Sequence, residues 1–283
     1  MKHLFFRGLG LISLISFLTF SCSDDNISSS KNENLNKASN QTLKQALDQI
    51  VKANPGIFFT KKLDSRDDGP GLPVSSPCYT APPTGSLCSY NQIVNYQMSL
   101  GASPPRPACS DMIVNCEVRL CLLSNGIWSY TFWNFKADYG NCPAFDTWYQ
   151  SLSDADKSIQ QDKWEYELSI ILEQQVVIAN APTIPALCPD FYAITEFISD
   201  LCYRRCLAPI PNFPYWRAIK SLCGDQCCSR NRTACITSTG SISFLAPTFT
   251  TKGPTCNSSG GLCPPNTIPL SPTCGVVCGP PQP

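Results

Sequence analysis

The sequence predicts an α+β fold: an antiparallel sheet of β-hairpins and meander strands, covered on one face by one long and one or two short helices and stapled by disulfides. Three observations lead to this prediction. Strand-like runs flank an Asn-Gly pair within residues 110–135, a long helical pattern spans residues 153–180, and 18 of the 283 residues are cysteine. The proline-rich segments between these elements are expected to be long and irregular.

A β-hairpin is the clearest local signal. Apolar residues alternate along one run, at positions 112, 114, 116, 118, 120 and 122. Asn125-Gly126 then precedes a second strand-like run, residues 127–135. A two-residue type I′ turn needs positive φ at both central residues, and Asn-Gly accepts that geometry best. The sequence therefore predicts two antiparallel strands joined by a type I′ turn.

Helical spacing replaces alternation after the hairpin. Pro143 suits the first turn of a short helix. A long helix then begins near Ser153, which can cap it, with Asp156 three residues later in a capping-box arrangement. Residues 170–179 are apolar on nearly all sides, so this end of the helix is expected to be buried.

Strand-like runs return from residue 191 and predict a meander, with Gly224-Asp225-Gln226 as a stapled turn between two strands. Residues 253–283 hold little to bury and are expected to form a tail ordered by its cysteines. The predicted segments are a signal peptide 1–21, a flexible tether 22–40, a short amphipathic docking helix 41–54, a proline-rich irregular segment 55–108, a disulfide-stapled α+β domain 109–252 and the tail 253–283.

Composition excludes several classes of function. The chain has 21 basic and 21 acidic residues, which become 19 and 21 when residues 1–21 are removed, so it offers no electrostatic footprint for nucleic acid. The single histidine, His3, lies in the removed segment. Without histidine, Ser-His-Asp and Cys-His catalysis and histidine-bearing metal or haem sites are excluded. We expect no cofactor and no metal, and an enzyme would depend on carboxylates, Lys, Tyr, Ser or Cys.

The N-terminal residues have the pattern of a secretory signal. Lys2 and Arg7 accompany an apolar stretch, residues 9–20, that is short for a membrane span. Residues 19–22, Thr-Phe-Ser-Cys, resemble the lipobox of bacterial lipoproteins, in the looser form common in Bacteroidota and spirochaetes, with Phe in place of a small residue. The resemblance implies cleavage before Cys22 and attachment of acyl chains to it, and several chains anchor a protein durably in a bilayer.

Ser23-Asp24-Asp25 resembles the acidic export signal of Bacteroidota surface lipoproteins. The resemblance implies a lipid-anchored protein of the outer membrane that faces the cell surface, with the periplasmic face as the alternative. A plainly cleaved signal that leaves Cys22 as an ordinary cysteine is the other alternative. The lipid bilayer, contacted through acylated Cys22, is therefore the first expected partner.

The 17 cysteines other than Cys22 are predicted to form disulfides. They are Cys78, Cys88, Cys109, Cys116, Cys121, Cys142, Cys188, Cys202, Cys206, Cys223, Cys227, Cys228, Cys235, Cys256, Cys263, Cys274 and Cys278. No two stand three positions apart, which is the spacing of many metal, redox and haem sites. In an exported chain they favour a disulfide framework. Because 17 is odd, one thiol is free or bridged to a partner, and the connectivity stays open.

Aromatic residues crowd the second strand of the hairpin. Trp128, Tyr130 and Phe132 share one face of residues 127–135, while Ile127, Trp133 and Phe135 share the other. A strand that is apolar on both faces is either sandwiched between layers or offers a platform for a ligand. Since sugar rings stack on flat aromatic surfaces, Trp128, Tyr130 and Phe132 are the candidate ligand-binding residues.

Charged residues supply two further candidates. Asp162, Glu165 and Glu173 could share one side of the long helix, and Glu117 points away from the apolar face of its strand. Glycoside hydrolysis needs two carboxyls about 5–10 Å apart, but acidic residues beside lysines on a helix are typical of a solvated face. The two arginines within Cys202–Cys206 could clamp an anion, although charges that protect a strand edge are the simpler interpretation.

The sequence favours a non-catalytic lipoprotein with a binding or structural role, whose ligand is a glycan or another envelope protein. One alternative is a histidine-free hydrolase that depends on carboxylates. The other is an inhibitor or immunity lipoprotein that presents a rigid loop between cysteines, such as residues 223–228, to an enzyme.

Overall fold

The computed structural model describes residues 58–61, 78, 80–88, 92–179, 187–209, 216–256, 262–270, 274, 275 and 277–281, together with Gln41 and Gln45. It confirms the disulfide-stapled α+β class. The strands are β1 Phe58–Lys61, β2 Leu87–Cys88, β3 Gln92–Leu100, β4 Cys109–Leu122, β5 Trp128–Tyr139, β6 Ala193–Asp200, β7 Tyr203–Pro209, β8 Trp216–Leu222, β9 Cys227–Ile236, β10 Ile242–Phe244, β11 Thr248–Lys252 and β12 Ile268–Pro269. The helices described over their whole length are α1 Pro143–Ser151 and α2 Asp154–Ala179.

Several predicted segments fall outside the described residues. They are the signal peptide, the tether with Cys22, and the helix 41–54 apart from Gln41 and Gln45, which are helical. Within the described part of the chain, neither α1 nor α2 has the length and apolar character that a membrane-crossing helix requires.

A nine-stranded sheet forms the body of the protein, with the strand order β1-β3-β4-β5-β6-β9-β10. Strand β11 also pairs with β9, and β2 pairs with β4. Three of these strands, β1, β2 and β3, lie in residues 55–108, so the segment predicted as irregular also contains strands, although its described residues 80–86 and 101–108 are irregular. Ile93, Val94 and Tyr96 are residue types that favour strands, and β4 supplies a partner for them.

One pair of neighbouring strands is parallel. The ladder between β5 and β6 runs from Trp128↔Ala193 to Phe132↔Phe197, and all other strand pairs in the described residues are antiparallel. Parallel neighbours need a crossover connection of a dozen or more residues. Helices α1 and α2 provide it, so the sheet is mixed where the sequence predicted only hairpins and a meander.

The predicted hairpin is confirmed as β4 and β5, but its turn is not of type I′. Leu123 N donates to Ile127 O (2.9 Å) and Gly126 N donates to Leu123 O (2.9 Å). Gly126 has φ 81°, whereas Asn125 does not have positive φ. The loop therefore spans three residues, and only its last residue needs the left-handed conformation that glycine accepts.

The hydrophobic core lies between the sheet and the two helices. Met112 and Val114 of β4 are fully buried, which confirms the predicted alternation, and they belong to one core cluster with Phe145 of α1 and Trp164 and Leu172 of α2. These contacts fix both helices against one face of the large sheet, as the sequence predicted.

Ser153 caps the start of α2, as predicted, because Asp156 N donates to Ser153 Oγ (3.2 Å). Ser153 Oγ in turn donates to the Asp156 carboxylate (2.6 Å), in place of the bond from the Ser153 backbone N–H that would complete a capping box. At the other end of the helix the expected burial is incomplete. Val176 and Val177 are buried, but half of the Ile178 surface is exposed.

A second, three-stranded sheet has the order β12-β7-β8. Its β12 comes from the predicted tail and pairs with β7 through Ile268↔Leu207 and Pro269↔Cys206. The tail therefore contributes a short strand in addition to its cysteines.

Eight disulfides account for sixteen of the seventeen candidate cysteines. They are Cys78–Cys227, Cys88–Cys121, Cys109–Cys142, Cys188–Cys235, Cys202–Cys256, Cys206–Cys263, Cys223–Cys274 and Cys228–Cys278. Cys116 is the free thiol of the described residues, and it is buried. No C-x3-C pair bonds internally, so each of these pairs ties its segment to two different places.

Candidate binding cleft

The aromatic face predicted to bind a ligand belongs to the core. Tyr130 and Phe132 have no exposed surface, and Trp128 is half-buried against the core. The ligand-surface prediction was wrong for Tyr130 and Phe132, because α2 covers this face of β5 and leaves no room for a ligand. The alternative interpretation, a strand sandwiched between layers, applies to them.

A β-bulge after Trp133 reverses which face of the sheet the later side chains of β5 occupy. The pairing with β4 shifts between Asn115 and Glu117, so Cys116 is opposite two residues of β5, and Asn134 adopts φ 51°. Phe135 consequently lies on the core side, with its ring centroid 5.4 Å from that of Phe197. The prediction that Phe135 shares a face with Trp133 was therefore wrong.

A cleft opens where β5 and β6 separate. Their parallel ladder ends at Phe132↔Phe197, after which β5 continues beside β4 and β6 continues beside β9. The cleft has a volume of about 390 Å³ and is lined by the diverging residues 133–135 and 197–201. Crevices at the carboxyl ends of parallel strands are frequent ligand sites in α/β proteins.

Aromatic rings from several elements line this cleft. Phe135 of β5, Tyr166 of α2 and Phe249 of β11 are each partly exposed. Phe197 and Tyr203 lie deeper and are almost completely buried. The cleft is thus framed by parts of the chain that are far apart in sequence, and the aromatic strand contributes through Trp133 and Phe135 instead of the three predicted residues.

The acidic side of α2 is buried, which contradicts the predicted solvated face. A polar stripe recurs every four residues along the side of α2 that faces the sheets. It consists of Lys157, Gln161, Glu165, Ser169 and Glu173, none of which is more than 9% exposed. Residues spaced by four share one side of a helix, and this side meets arginines of β7 and β9 that the local sequence does not reveal.

Glu165 is the centre of one ion cluster. Arg205 Nη2 and Lys220 Nζ lie 3.0 and 2.9 Å from Glu165 Oε2, and Gln161 Nε2 donates to Glu165 Oε1 (2.9 Å). Burial alone would raise the pKa of Glu165, but Arg205 and Lys220 outweigh it and lower the pKa to about 2. Glu165 is therefore an ionised structural acceptor, which does not suit a general acid.

Arg205 was predicted to protect a strand edge, and that prediction was wrong. Only 3% of its side chain is exposed, and it contacts Asp162 as well as Glu165. Tyr203 donates its hydroxyl hydrogen to Asp162 Oδ1 (2.9 Å). Arg205 thus clamps carboxylates of its own chain and joins the three-stranded sheet to α2.

Glu173 is the centre of a second ion cluster and is fully buried. Its Oε2 lies 2.7 Å from Arg230 Nη2 and 3.7 Å from Arg232 Nη1, and Thr195 donates its hydroxyl hydrogen to Oε1. The Arg230 guanidinium also packs against the rings of Tyr166 (5.1 Å) and Phe197 (4.7 Å). Arg230 therefore braces the aromatic wall of the cleft.

Asp200 and Lys220 are cleft residues that the sequence analysis missed. Asp200 is exposed at the rim, at the carboxyl end of β6, and Lys220 is partly exposed on β8. Desolvation by the surrounding residues raises the pKa of Asp200, against the lowering effect of Lys220 and Lys136. No local sequence pattern identifies Asp200 as a cleft residue, because its position at the rim depends on where β6 separates from β5.

Glu117 lies outside the cleft. Its carboxylate accepts hydrogen bonds from Trp133 Nε1 (3.2 Å) and Asn134 Nδ2 (2.7 Å), which holds the bulge. Glu117 points away from the apolar face of β4, as predicted, and its contacts are structural.

A groove of about 620 Å³ is lined by Arg119 of β4, Thr131 of β5 and Glu196 of β6, together with residues of β11. One of its ends is closed by Lys252, whose Nζ lies 2.5 Å from both Glu196 Oε1 and Thr80 Oγ1. The charged groups there satisfy one another, so this groove is the weaker candidate.

The predicted loop 223–228 and a cluster of three cysteines offer little for binding. Within residues 223–228 only Gly224 and Asp225 are exposed, whereas inhibitor interfaces cover about 800 Å² on each partner. The sulfur atoms of Cys202, Cys256 and Cys274 lie within 4.8 Å of one another. All three are in disulfides, so they are not the thiolates that metal ions bind.

Comparisons of the chain with models of protein families, with curated proteins and with solved structures found no match.

Proposed function

We propose that the protein is an outer-membrane lipoprotein, anchored through acylated Cys22 and exposed at the cell surface, that binds a glycan fragment without catalysis. The lipobox-like residues 19–22 and the acidic residues 23–25 support the anchor and its orientation. The eight disulfides are compatible with an oxidising compartment outside the cytoplasm.

The observation that carries the ligand class is the composition of the cleft. Its volume of about 390 Å³ falls in the range of small-ligand sites. Phe135, Tyr166 and Phe249 offer partly exposed aromatic faces, on which the apolar face of a sugar ring can stack. Asp200 and Lys220 at its edge can bond to hydroxyl groups.

Calorimetry tests this assignment. The chain of residues 23–283, with its disulfides formed, is titrated with a panel of mono- and oligosaccharides. Phe249→Ala should weaken binding about tenfold, the loss expected when a single aromatic contact worth roughly 1.4 kcal/mol is removed. Phe191→Ala makes the same change at an exposed residue outside the cleft and should bind like wild type.

Two outcomes would contradict the assignment. If the wild-type chain binds no saccharide of the panel, the ligand class is wrong. If Phe249→Ala and Phe191→Ala weaken binding equally, the ligand lies elsewhere on the surface.

A carboxylate-dependent glycoside hydrolase is the second candidate, and one observation favours it. Asp200 and Glu165 both line the cleft. Their pKa values move apart, up for Asp200 and down to about 2 for Glu165, as they do in an acid and base pair. Because Glu165 is held by Arg205 and Lys220, we expect no turnover of fluorogenic glycosides. Turnover that Asp200→Asn abolishes would establish the enzyme instead.

The mass of intact protein extracted from its own membranes, and alkylated after unfolding without reductant, tests the anchor. An increment of several acyl chains on Cys22 and a single alkylated thiol, Cys116, are expected. An unmodified Cys22 would remove the anchor from the proposal.

Surface exposure is tested separately by protease digestion of intact cells. Changing both Asp24 and Asp25 to Ala should protect the protein by retaining it at the periplasmic face, whereas Asn26→Ala should leave it accessible. Protection of the wild-type chain would place the protein at the periplasmic face.

A further inference from the structure

We infer that the C-terminal tail is a disulfide-latched wall of the cleft, and that cleavage of Cys228–Cys278 by a dithiol opens the cleft and lowers its affinity for ligand. The inference concerns regulation of the site assigned above and rests on the proposed function for its biological meaning. The latch itself is a mechanical property that can be measured without any ligand.

The end of the tail is part of the cleft lining. Val277, Gly279, Pro280 and Pro281 all line it, although they follow the last described strand, β12. Val277 is 80% exposed, so apolar packing holds it only weakly. Gly279 and Pro281 are half-buried and Pro280 is exposed, so burial holds the wall formed by the tail only in part.

The covalent attachments of the tail show what places it. Gly275 N donates to Tyr203 O (3.1 Å), and Cys274 is bonded to Cys223. From Val277 to Pro281, Cys228–Cys278 is the one attachment to the rest of the described chain, since no hydrogen bond or ion pair joins these residues to it. Proline has no backbone N–H to donate, which limits the bonds this segment can form.

A reductant can reach the latch at Cys278, which is half-buried. Its partner Cys228 of β9 lines the cleft but is only 4% exposed, so we expect the attack at the sulfur of Cys278. A dithiol would attack one sulfur to form a mixed disulfide, and its second thiol would resolve that bond. The dithiol loses two electrons and two protons and becomes a disulfide, while Cys228 and Cys278 become thiols. The tail beyond Gly275 is then free to leave the cleft.

The variant Cys228→Ser with Cys278→Ser tests the latch, and Cys206→Ser with Cys263→Ser is the matched control. The control also removes one disulfide of the tail, but neither of its cysteines lines the cleft. Hydroxyl-radical footprinting should show several-fold more oxidation of Phe249 and Tyr166 in the latch variant and wild-type levels in the control. Wild type treated with increasing dithiothreitol should reach the same footprint when Cys228–Cys278 is cleaved.

Saccharide binding is the second readout. The latch variant should dissociate ligand about tenfold faster, since most affinity changes appear in the dissociation rate and the wall formed by the tail no longer contacts the ligand. A chain that ends at Val276 and carries Cys228→Ser should behave in the same way, which covers the case in which the double variant folds poorly.

The outcomes separate the two proposals. An unchanged footprint in a folded latch variant overturns the latch, and so does an equal increase in the control variant. A raised footprint in a protein that binds no saccharide supports the latch and overturns the glycan assignment.

Discussion

The large sheet with its helices and the small sheet with the tail are stabilised in different ways. In the first, which we call the packed part, strands β3–β6 and β9 enclose a continuous core with α1 and α2. In the second, the stapled part, β7, β8, β12 and the tail have little core and are joined by Cys202–Cys256, Cys206–Cys263 and Cys223–Cys274. Cys228–Cys278 connects the tail to β9 of the packed part, which has four further disulfides in addition to its core.

The difference follows from how much apolar surface each part can bury. Long strands and a 26-residue helix give the packed part many fully buried side chains, such as Leu120, Phe132 and Leu168. The stapled part has short strands and a tail rich in Pro and Gly, where Leu222 and Leu262 stay exposed. Cross-links that restrict the unfolded chain replace burial there.

Reduction should separate the two parts, and this is the largest expected effect. A disulfide typically contributes about 2–4 kcal/mol, and the stapled part has little else to replace it. Hydrogen exchange during a dithiothreitol titration should show β7, β8 and β12 losing protection while β3–β5 keep theirs. Simultaneous loss of protection in both parts would mean that the comparison is wrong.

Removing Glu173 tests whether the packed part also depends on buried charge. Glu173→Gln leaves Arg230 and Arg232 without their carboxylate, and breaking a buried ion pair costs about 3–5 kcal/mol of unfolding free energy. Glu167→Gln makes the same change on α2 at a carboxylate that is 43% exposed. Its partner Arg106 is buried but keeps a bond to Gly101 O (3.0 Å) and water can reach the site of the carboxylate, so this change should cost less than Glu173→Gln. Urea unfolding measures the free energy of unfolding of both variants. Similar losses in the two would show that the buried carboxylate of Glu173 contributes no more than an exposed one.

Acid should weaken the contact between the two parts, because Glu165 of α2 binds Arg205 of β7 and Lys220 of β8. Its pKa falls from the ordinary 4.5 to about 2 on folding. The resulting stability is present above pH 4.5 and is lost as the pH falls toward 2, with a size on the order of 3 kcal/mol.

Urea unfolding between pH 2 and 5 measures this dependence. The loss of stability should be smaller in Glu165→Gln than in wild type. Equal slopes in wild type and Glu165→Gln would show that other groups control acid unfolding.

The smallest expected effect concerns the hairpin turn of the packed part. Gly126→Ala places a Cβ at φ 81° in open space, so only backbone strain acts, and the change should cost about 1 kcal/mol. Gly101→Ala also meets no neighbour and does not require positive φ. Its melting temperature should equal or exceed that of wild type, and a similar fall in both variants would exclude the turn as the cause.

The features predicted correctly from the sequence are local ones. The β4–β5 hairpin and the Ser153 N-cap depend on residues close in the chain, where pattern and propensity act directly. The parallel β5–β6 pair was missed although a strand, two helices and a strand succeed one another, which is the order of a crossover connection.

The candidate site was harder to predict because its contacts are distant. Glu173 meets Arg230 57 positions away, and Glu165 meets Arg205 40 positions away. Acidic residues without a visible partner resemble a solvated face, so their burial could not be inferred. The bulge at Asn134 also places Phe135 on the opposite face of the sheet from the one predicted. It could not be predicted, because an asparagine alone is a weak signal for positive φ.

The bulge has a consequence for the chemistry of the odd cysteine. Cys116 lies opposite the two bulged residues and donates a weak hydrogen bond to Trp133 O (3.3 Å). Burial raises the pKa of this thiol well above its ordinary value, and only a thiolate attacks a disulfide. Once the sheet has formed, Cys116 therefore does not undergo thiol–disulfide exchange with the eight disulfides. The unpaired cysteine leaves unchanged the disulfide pairing that keeps the tail over the cleft.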